Sequence, residues 1–323
     1  MIHIKKFTSK LSLVASAIAL SGLSAMTVTF GAVAEESNAD ENIERIMVTG
    51  SRRNDRTVAE STSPVDIIDI ESMSATGQLE VSQILSNLLP SFNYPKAALN
   101  DGTDHASPAT LRGLAPDHTL VLINGKRRHS GALLNLGGSV GRGSTAVDLN
   151  MIPTSAIKNI QVLRDGAAAQ YGSDAIAGVI NIILKDGDEG GSFAVTYGKY
   201  DTEVAGVKEI KSKTIVGNEL VFEDGGDIHR SDGETTTIAG DIGFSLGEDG
   251  FLHLAFESRD RAPTSRNGYE ARQVYNPLVD GSVDPRELDF DHANNFRVGR
   301  ADIQDLSFVY NLGYSFNNTT ELY

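Results

Sequence analysis

Few side chains in this chain have the chemistry to act alone. Across 323 residues there are seven histidines and no cysteine, so thiolate nucleophiles, thiolate metal ligands and disulfide staples are all absent. The remaining carboxylates, imidazoles and hydroxyls do not fall into a Ser/His/Asp order, a metal-ligand spacing or a pair of carboxylates set for acid–base work. No catalytic residue, metal site or cofactor is therefore expected, and the protein does not read as an enzyme. Two glycine-bearing stretches invite a phosphate-loop reading, "VLRDGAAAQYGSDAIAGVINIILK" at 162–185 and "GGSVGRG" at 137–143. No Lys-Ser/Thr pair follows the glycines of the first, and the second is not set between a strand and a helix, so neither makes a nucleotide site. Single histidines on polar loops and the "KRR" run at 126–128 read first as solvated side chains.

Charge narrows the partners. Lysines and arginines number 28 against 43 aspartates and glutamates, a formal charge of -15, which repels a phosphate backbone and excludes nucleic acid as a main partner. At the N-terminus, Lys5, Lys6 and Lys10 flank "LSLVASAIALSGLSAM", and "AVA" at 32–34 supplies small residues for cleavage. Residues 1–34 thus read as a secretory signal, too short and serine-broken to anchor in a bilayer core of about 30 Å. A polar leader follows, and within it "IERIMVTG" at 43–50 is β-prone but isolated between polar flanks. It suits either strand addition to a partner's sheet or the first strand of the next domain.

From Pro64 the pattern is α+β. "VDIIDI" reads as a strand, and Val81, Ile84, Leu85 and Leu88 fall at helical spacing before Pro90. "TLVLINGKRRHS" is a hairpin candidate, because Asn124-Gly125 suits the positive φ values of a two-residue turn. "IKNIQVL" and "GVINIIL" add strands, giving one compact mixed domain.

After "KDGDEGG" the period becomes two. Ile238, Ile242, Phe244 and Leu246 share a face while Ala239, Asp241, Gly243 and Ser245 share the other; Leu252, Leu254 and Phe256 resume the apolar face beyond a tight turn. The same alternation sets Leu306, Phe308, Tyr310, Leu312, Tyr314 and Phe316 against Ser307, Asn311, Gly313 and Ser315. A soluble sandwich would bury the apolar face and a membrane barrel would show it to lipid, and periodicity alone separates neither. Connection lengths favour the barrel: strands near 192–200, 235–246, 251–261 and 301–316 leave short turns on one rim and long polar connections, 201–234 and 262–300, on the other.

These segments resemble the N-terminal part of a TonB-dependent outer-membrane receptor. The matching stretches are "IERIMVTGSRR", "LRGLAPDHTLVLINGKRRH", "VDLNMIPTSAIKNIQVLRDGAAAQYGSDAIAGVINIILK" and the first alternating strands, in the family's order. The resemblance implies an α+β plug domain over 56–186, preceded by a periplasmic leader at 35–55 and followed from 187 to 323 by the start of a transmembrane β-barrel. A complete barrel of this kind has about 22 strands, so the chain is expected to be a fragment. Gly172 and Gly178 are then expected to let plug strands and turns approach closely.

The implied TonB-binding segment is Ile43, Glu44, Arg45, Ile46, Met47, Val48 and Thr49. Arg112 and Arg164 match the plug arginines that pair with barrel glutamates, although Asp165-Gly166 departs from the family's Gly-Pro. The ligand-facing plug loops would carry Tyr94, Asn100, Asp104, His105, His129, Asn135 and Arg142. Partners implied are TonB with its inner-membrane energising complex, an extracellular small-molecule ligand and the outer-membrane bilayer. Ferric siderophore is the family's commonest cargo, with cobalamin, haem, oligosaccharide or peptide behind it; a secreted β-rich adhesin is the more distant alternative.

Overall fold

The structure, a computed structural model, describes residues 65–94, 106, 108–136, 141–164, 169, 171–293, 295, 297–317 and 320–322. The signal-like segment 1–34, the leader with Ile43–Thr49, and Asn100, Asp104 and His105 lie outside the described residues. All described residues belong to one compact unit, Ile46–Tyr323.

The N-terminal globule is built on β1 (Val65–Asp69), α1 (Ile70–Ala75), α2 (Val81–Leu88), β2 (Phe92–Asn93), β3 (Thr110–Leu111), β4 (Thr119–Ile123), β5 (Lys126–Arg127), β6 (Ile157–Leu163) and β7 (Gly178–Leu184). Its main sheet has the order β1-β6-β7-β4-β5. The apolar runs of β6 and β7 occupy the middle because they can be covered on both faces, and Ile157, Ile160, Val162, Ile180 and Ile182 are all fully buried. Across them packs α2, whose Val81, Ile84 and Leu85 are buried. "VDIIDI" divides: Asp69 accepts from Ser72 N at 2.8 Å, so Ile70 enters α1 instead of extending β1.

Asn124 and Gly125 take φ 47° and 75°, closing the β4–β5 hairpin. The glycines of the 162–185 stretch divide by physical role. Gly178, at φ 144°, allows close approach: a Cβ there would lie 2.5 Å from the Leu163 carbonyl oxygen and 2.7 Å from Leu111 Cδ2. Gly172 does not, since a Cβ would meet nothing within 4 Å; its φ of 94° is what demands glycine.

The second sheet comprises β8 (Gly191–Val216), β9 (Glu219–Ser245), β10 (Gly250–Arg261), β11 (Ile303–Asn317) and β12 (Thr320–Leu322), all antiparallel, in the order β12-β11-β10-β9-β8. The expectation of a long connection at 201–234 is corrected: β8 and β9 run on as a ribbon 26 and 27 residues long. The stretch is polar yet β-prone, and "IVGNELVF" carries Gly217-Asn218 at the reversal, with Gly217 at φ 63°. The 262–300 connection is irregular apart from a 3-10 turn at Pro285–Leu288.

Candidate functional site: the seal between globule and wall

The two faces of the second sheet meet different surroundings. On β10, His253, Ala255, Glu257, Arg259 and Arg261 are buried, and Ala255 with Val309 of β11 joins the core cluster of the globule. The alternate residues face away. Phe193, Val195 and Tyr197 on β8 are 61–68% exposed, and Leu306, Phe308 and Tyr310 on β11 are 65–79% exposed. Register aligns these side chains across strands, Phe256 opposite Phe308 and Leu254 opposite both Tyr310 and Ile242. A sandwich would have buried this apolar surface, so the globule packs instead on the face of small and polar residues.

Three polar groups make the seal. Where β7 leaves the globule, Lys185 Nζ lies 2.8 Å from Asp241 Oδ1 on β9, and Ser192 donates to the same carboxylate. His253 bridges Asp241 Oδ2 at 3.0 Å and the Gly187 carbonyl oxygen at 2.9 Å. Near the middle, Asn124 accepts from Leu184 N at 2.9 Å and donates to Asn311 Oδ1 at 3.1 Å, so the turn residue of the hairpin also touches the wall. Thr154 donates through both N and Oγ1 to Glu257 Oε2 at 3.2 Å.

The third group centres on Glu80, which is 3% exposed. It pairs with Arg261 and Arg300, and Arg259 Nη1 stands 3.8 Å from it; Arg259 also holds Asp305 at 2.6 Å. Burial pushes the Glu80 carboxyl up, but Arg300, Arg261 and Arg259 together pull harder and hold it below the usual carboxylate value. Asp148 nearby goes the other way, raised by burial and by the negative charges of Asp305 and Glu80. A buried charge stripped of its partner is strongly destabilising, so these residues fix how globule and wall dock.

None of these contacts was expected from the sequence, although a signal was present. In "ESRDR", Glu257, Arg259 and Arg261 recur at period two on a face that is otherwise small and polar.

The residues singled out from sequence fare differently. Arg164 pairs with Asp66 on β1, at 2.7 Å from Nε and 2.9 Å from Nη2. Among the described residues the partner is local: β1 runs antiparallel beside β6, with Asp66 opposite Val162, which brings a carboxylate within reach inside the globule, and pairing with a barrel glutamate stays a proposal. Arg112, at φ 58°, donates from Nη1 to the Arg164 carbonyl oxygen at 2.7 Å. Tyr94 packs against the core and accepts from Asn150 Nδ2 at 2.9 Å. Asn135 is buried and donates to the Ser144 carbonyl oxygen at 3.2 Å, bracing its own loop. Tyr94 thus braces Asn150, and Asn135 its own loop; a ligand-facing role for either stays a proposal. His129 and Arg142 are exposed; His129 borders a cleft beside Arg127, which pairs with Asp174.

A polar-faced wall with a globule sealed against it defines a plugged-barrel protein. Residues 57–179 match the TonB-dependent Receptor Plug Domain, and the described fold has the arrangement of such a plug followed by antiparallel strands of a partial barrel. Among curated relatives it is 30% identical over 145 residues to the vitamin B12 transporter BtuB of Photobacterium profundum, covering 45% of this chain and 21% of that protein. It is 28% identical over 242 residues to the probable TonB-dependent siderophore receptor PirA of Acinetobacter baumannii, covering 66% of this chain and 31% of that protein. The fold superposes on the ferric enterobactin receptor PfeA of Pseudomonas aeruginosa with a TM-score of 0.54 at 20% identity, over 79% of this chain and 31% of that one. The chain thus spans between about a fifth and a third of the length of these proteins.

Proposed function

We infer that the protein serves as an outer-membrane receptor for energised uptake of a scarce, bulky nutrient, with an iron–siderophore complex as the first candidate cargo. The observation that carries this reading is the two-sided sheet, apolar on the side left exposed among the described residues and polar where the plug packs. An adhesin has no need of a globule packed on its polar face. The outer membrane has no ATP and little usable ion gradient, so uptake against a concentration difference needs work delivered from the inner membrane. Ile43–Thr49 is the proposed handle for TonB, placed in the periplasm, while the β8–β9 ribbon and the 262–300 connection stand outside the cell. Siderophore cargo is supported by the likeness to PirA, and cobalamin, the alternative within the class, by the likeness to BtuB; haem, oligosaccharide and peptide remain further alternatives.

Val48→Pro or Ile46→Pro removes a backbone donor that strand addition to TonB requires. Cells carrying either change in the full-length receptor should bind radiolabelled ferric siderophore from a mixed panel as before, yet fail to accumulate it. Accumulation at the wild-type rate would remove the handle from 43–49. A wild-type receptor that takes up labelled cobalamin and no ferric siderophore would move the cargo to the alternative.

A further inference from the structure

Glu80 immediately precedes α2, where a side chain ordinarily accepts from the first free N–H groups of the helix. It makes no such bond. Its buried carboxylate turns instead to the wall, one oxygen meeting Arg261 and the other Arg300. These arginines come from different places. Arg261 ends β10, whereas Arg300 lies some forty residues on, at the returning end of the 262–300 connection.

That returning end is bonded to the outer parts of the molecule. Thr264 N donates to the Arg300 carbonyl oxygen at 3.0 Å, Arg300 N donates to Thr264 Oγ1 at 2.8 Å, and Arg266 N donates to the Val298 carbonyl oxygen at 2.6 Å. The two limbs of the connection are therefore zipped at their base. Arg266 also holds both carboxylate oxygens of Asp232 on β9, at 2.9 and 2.8 Å, and Ser265 N adds a bond to Asp232 at 2.7 Å. A run of polar contacts thus leads from the long ribbon through the zipped base to Arg300, and from Arg300 to the residue that opens a plug helix.

We propose that Glu80 and Arg300 couple the outer connection to the plug: a displacement of the zipped base weakens the plug's hold on the wall, and loosening the plug loosens the base. This rests on the reading of the chain as a plugged receptor. The reciprocity is a thermodynamic requirement, since two sites linked through one bond must bias each other equally. A static seal, in which Glu80 restrains the plug without reporting on the connection, is the competing outcome.

The test uses the full-length receptor in intact cells with two reporters. Ser82→Cys places a thiol on α2 at a position now 3% exposed, and maleimide labelling of that thiol reads plug opening. Trypsin cleavage after Arg272 or Arg286, whose side chains are 86% and 67% exposed, reads loosening of the connection. Glu80→Gln and Arg300→Gln should each raise both rates by about tenfold, and the double variant should raise neither further, because both changes break the same link. Glu80→Gln that speeds labelling and leaves trypsin cleavage unchanged would establish a static seal and overturn the coupling, as would effects of the two variants that add. If Glu80→Gln does not accumulate, Arg300→Gln decides alone, since its arginine is at the rim of the cluster and its effect on thiol labelling in the Ser82→Cys background is the coupling itself. Absence of the wild-type protein from the membrane fraction would instead defeat the receptor reading, and the same two rates measured on the soluble protein would still judge the coupling.

Discussion

Glu287 sits fully buried in the 262–300 connection, with Oε1 accepting from the N–H groups of Val274 and Tyr275 at 2.7 and 2.6 Å and Oε2 3.0 Å from His292 Nε2. His292 is equally buried, bonds the Glu270 carbonyl oxygen at 2.7 Å, and packs edge-on to Phe222 and Phe290. Glu287→Ala would leave the Val274 and Tyr275 amides without their acceptor, a loss of about 1–3 kcal/mol for each buried donor left unpaired. Trypsin should then cut readily after Arg272, and unchanged resistance would show that the aromatic packing suffices. For Glu80 the charge state matters in a defined direction. Its folded pKa is depressed, so the stability it adds is present above the ordinary value of 4.5 and is lost as pH falls through the lower folded value. Asp148, raised by burial, prefers the protonated form in the fold and makes that loss shallower. The melting temperature of the receptor between about pH 7 and about pH 3 should therefore fall only at the acid end, and the fall should flatten when Glu80→Gln is added. A fall near neutrality would contradict the assignment.

At the level of elements, β10 and β11 carry the distinction between sandwich and barrel. The same strands present Arg259 and Asp305 to one side and Phe256 and Phe308 to the other, cross-strand partners in both cases. Phe308 is 65% exposed and lies in a continuous apolar band. An arginine there would meet hydrocarbon at a cost of about 2–4 kcal/mol near the bilayer midplane. Phe308→Arg should lower the yield of folded, heat-modifiable receptor in the outer membrane, while Asp260→Asn, exposed near the C-terminal end of β10, should not. Equal yields would mean that the band does not face lipid.

Taken as a whole, the described sheet has two outer strands, β8 and β12, whose free edges would leave backbone groups unsatisfied in hydrocarbon at several kcal/mol each. The relatives are three to five times longer than the stretch they share with this chain. The full-length gene product is accordingly expected to partition with outer membranes and to need detergent for extraction, whereas residues 1–323 expressed alone should not reach the membrane as a folded species. Recovery of the full-length product as a detergent-free monomer in the periplasm would undo both the barrel and the transport reading.

Sequence by itself determined the elements and their order. The apolar runs of β6 and β7, the helical spacing of Val81, Ile84 and Leu85, the Asn124-Gly125 turn and the period-two strands all follow from local pattern, because side-chain direction in a helix or strand is set by the backbone repeat. The Gly217-Asn218 reversal was legible too, but polar composition around it masked the ribbon. Only the tertiary structure decided which face of the alternating strands is covered, that Arg164 turns to Asp66, and that Glu80 meets arginines some 180 and 220 residues further along the chain. Those outcomes depend on which distant charges arrive in the same dry space, and no local periodicity encodes that encounter.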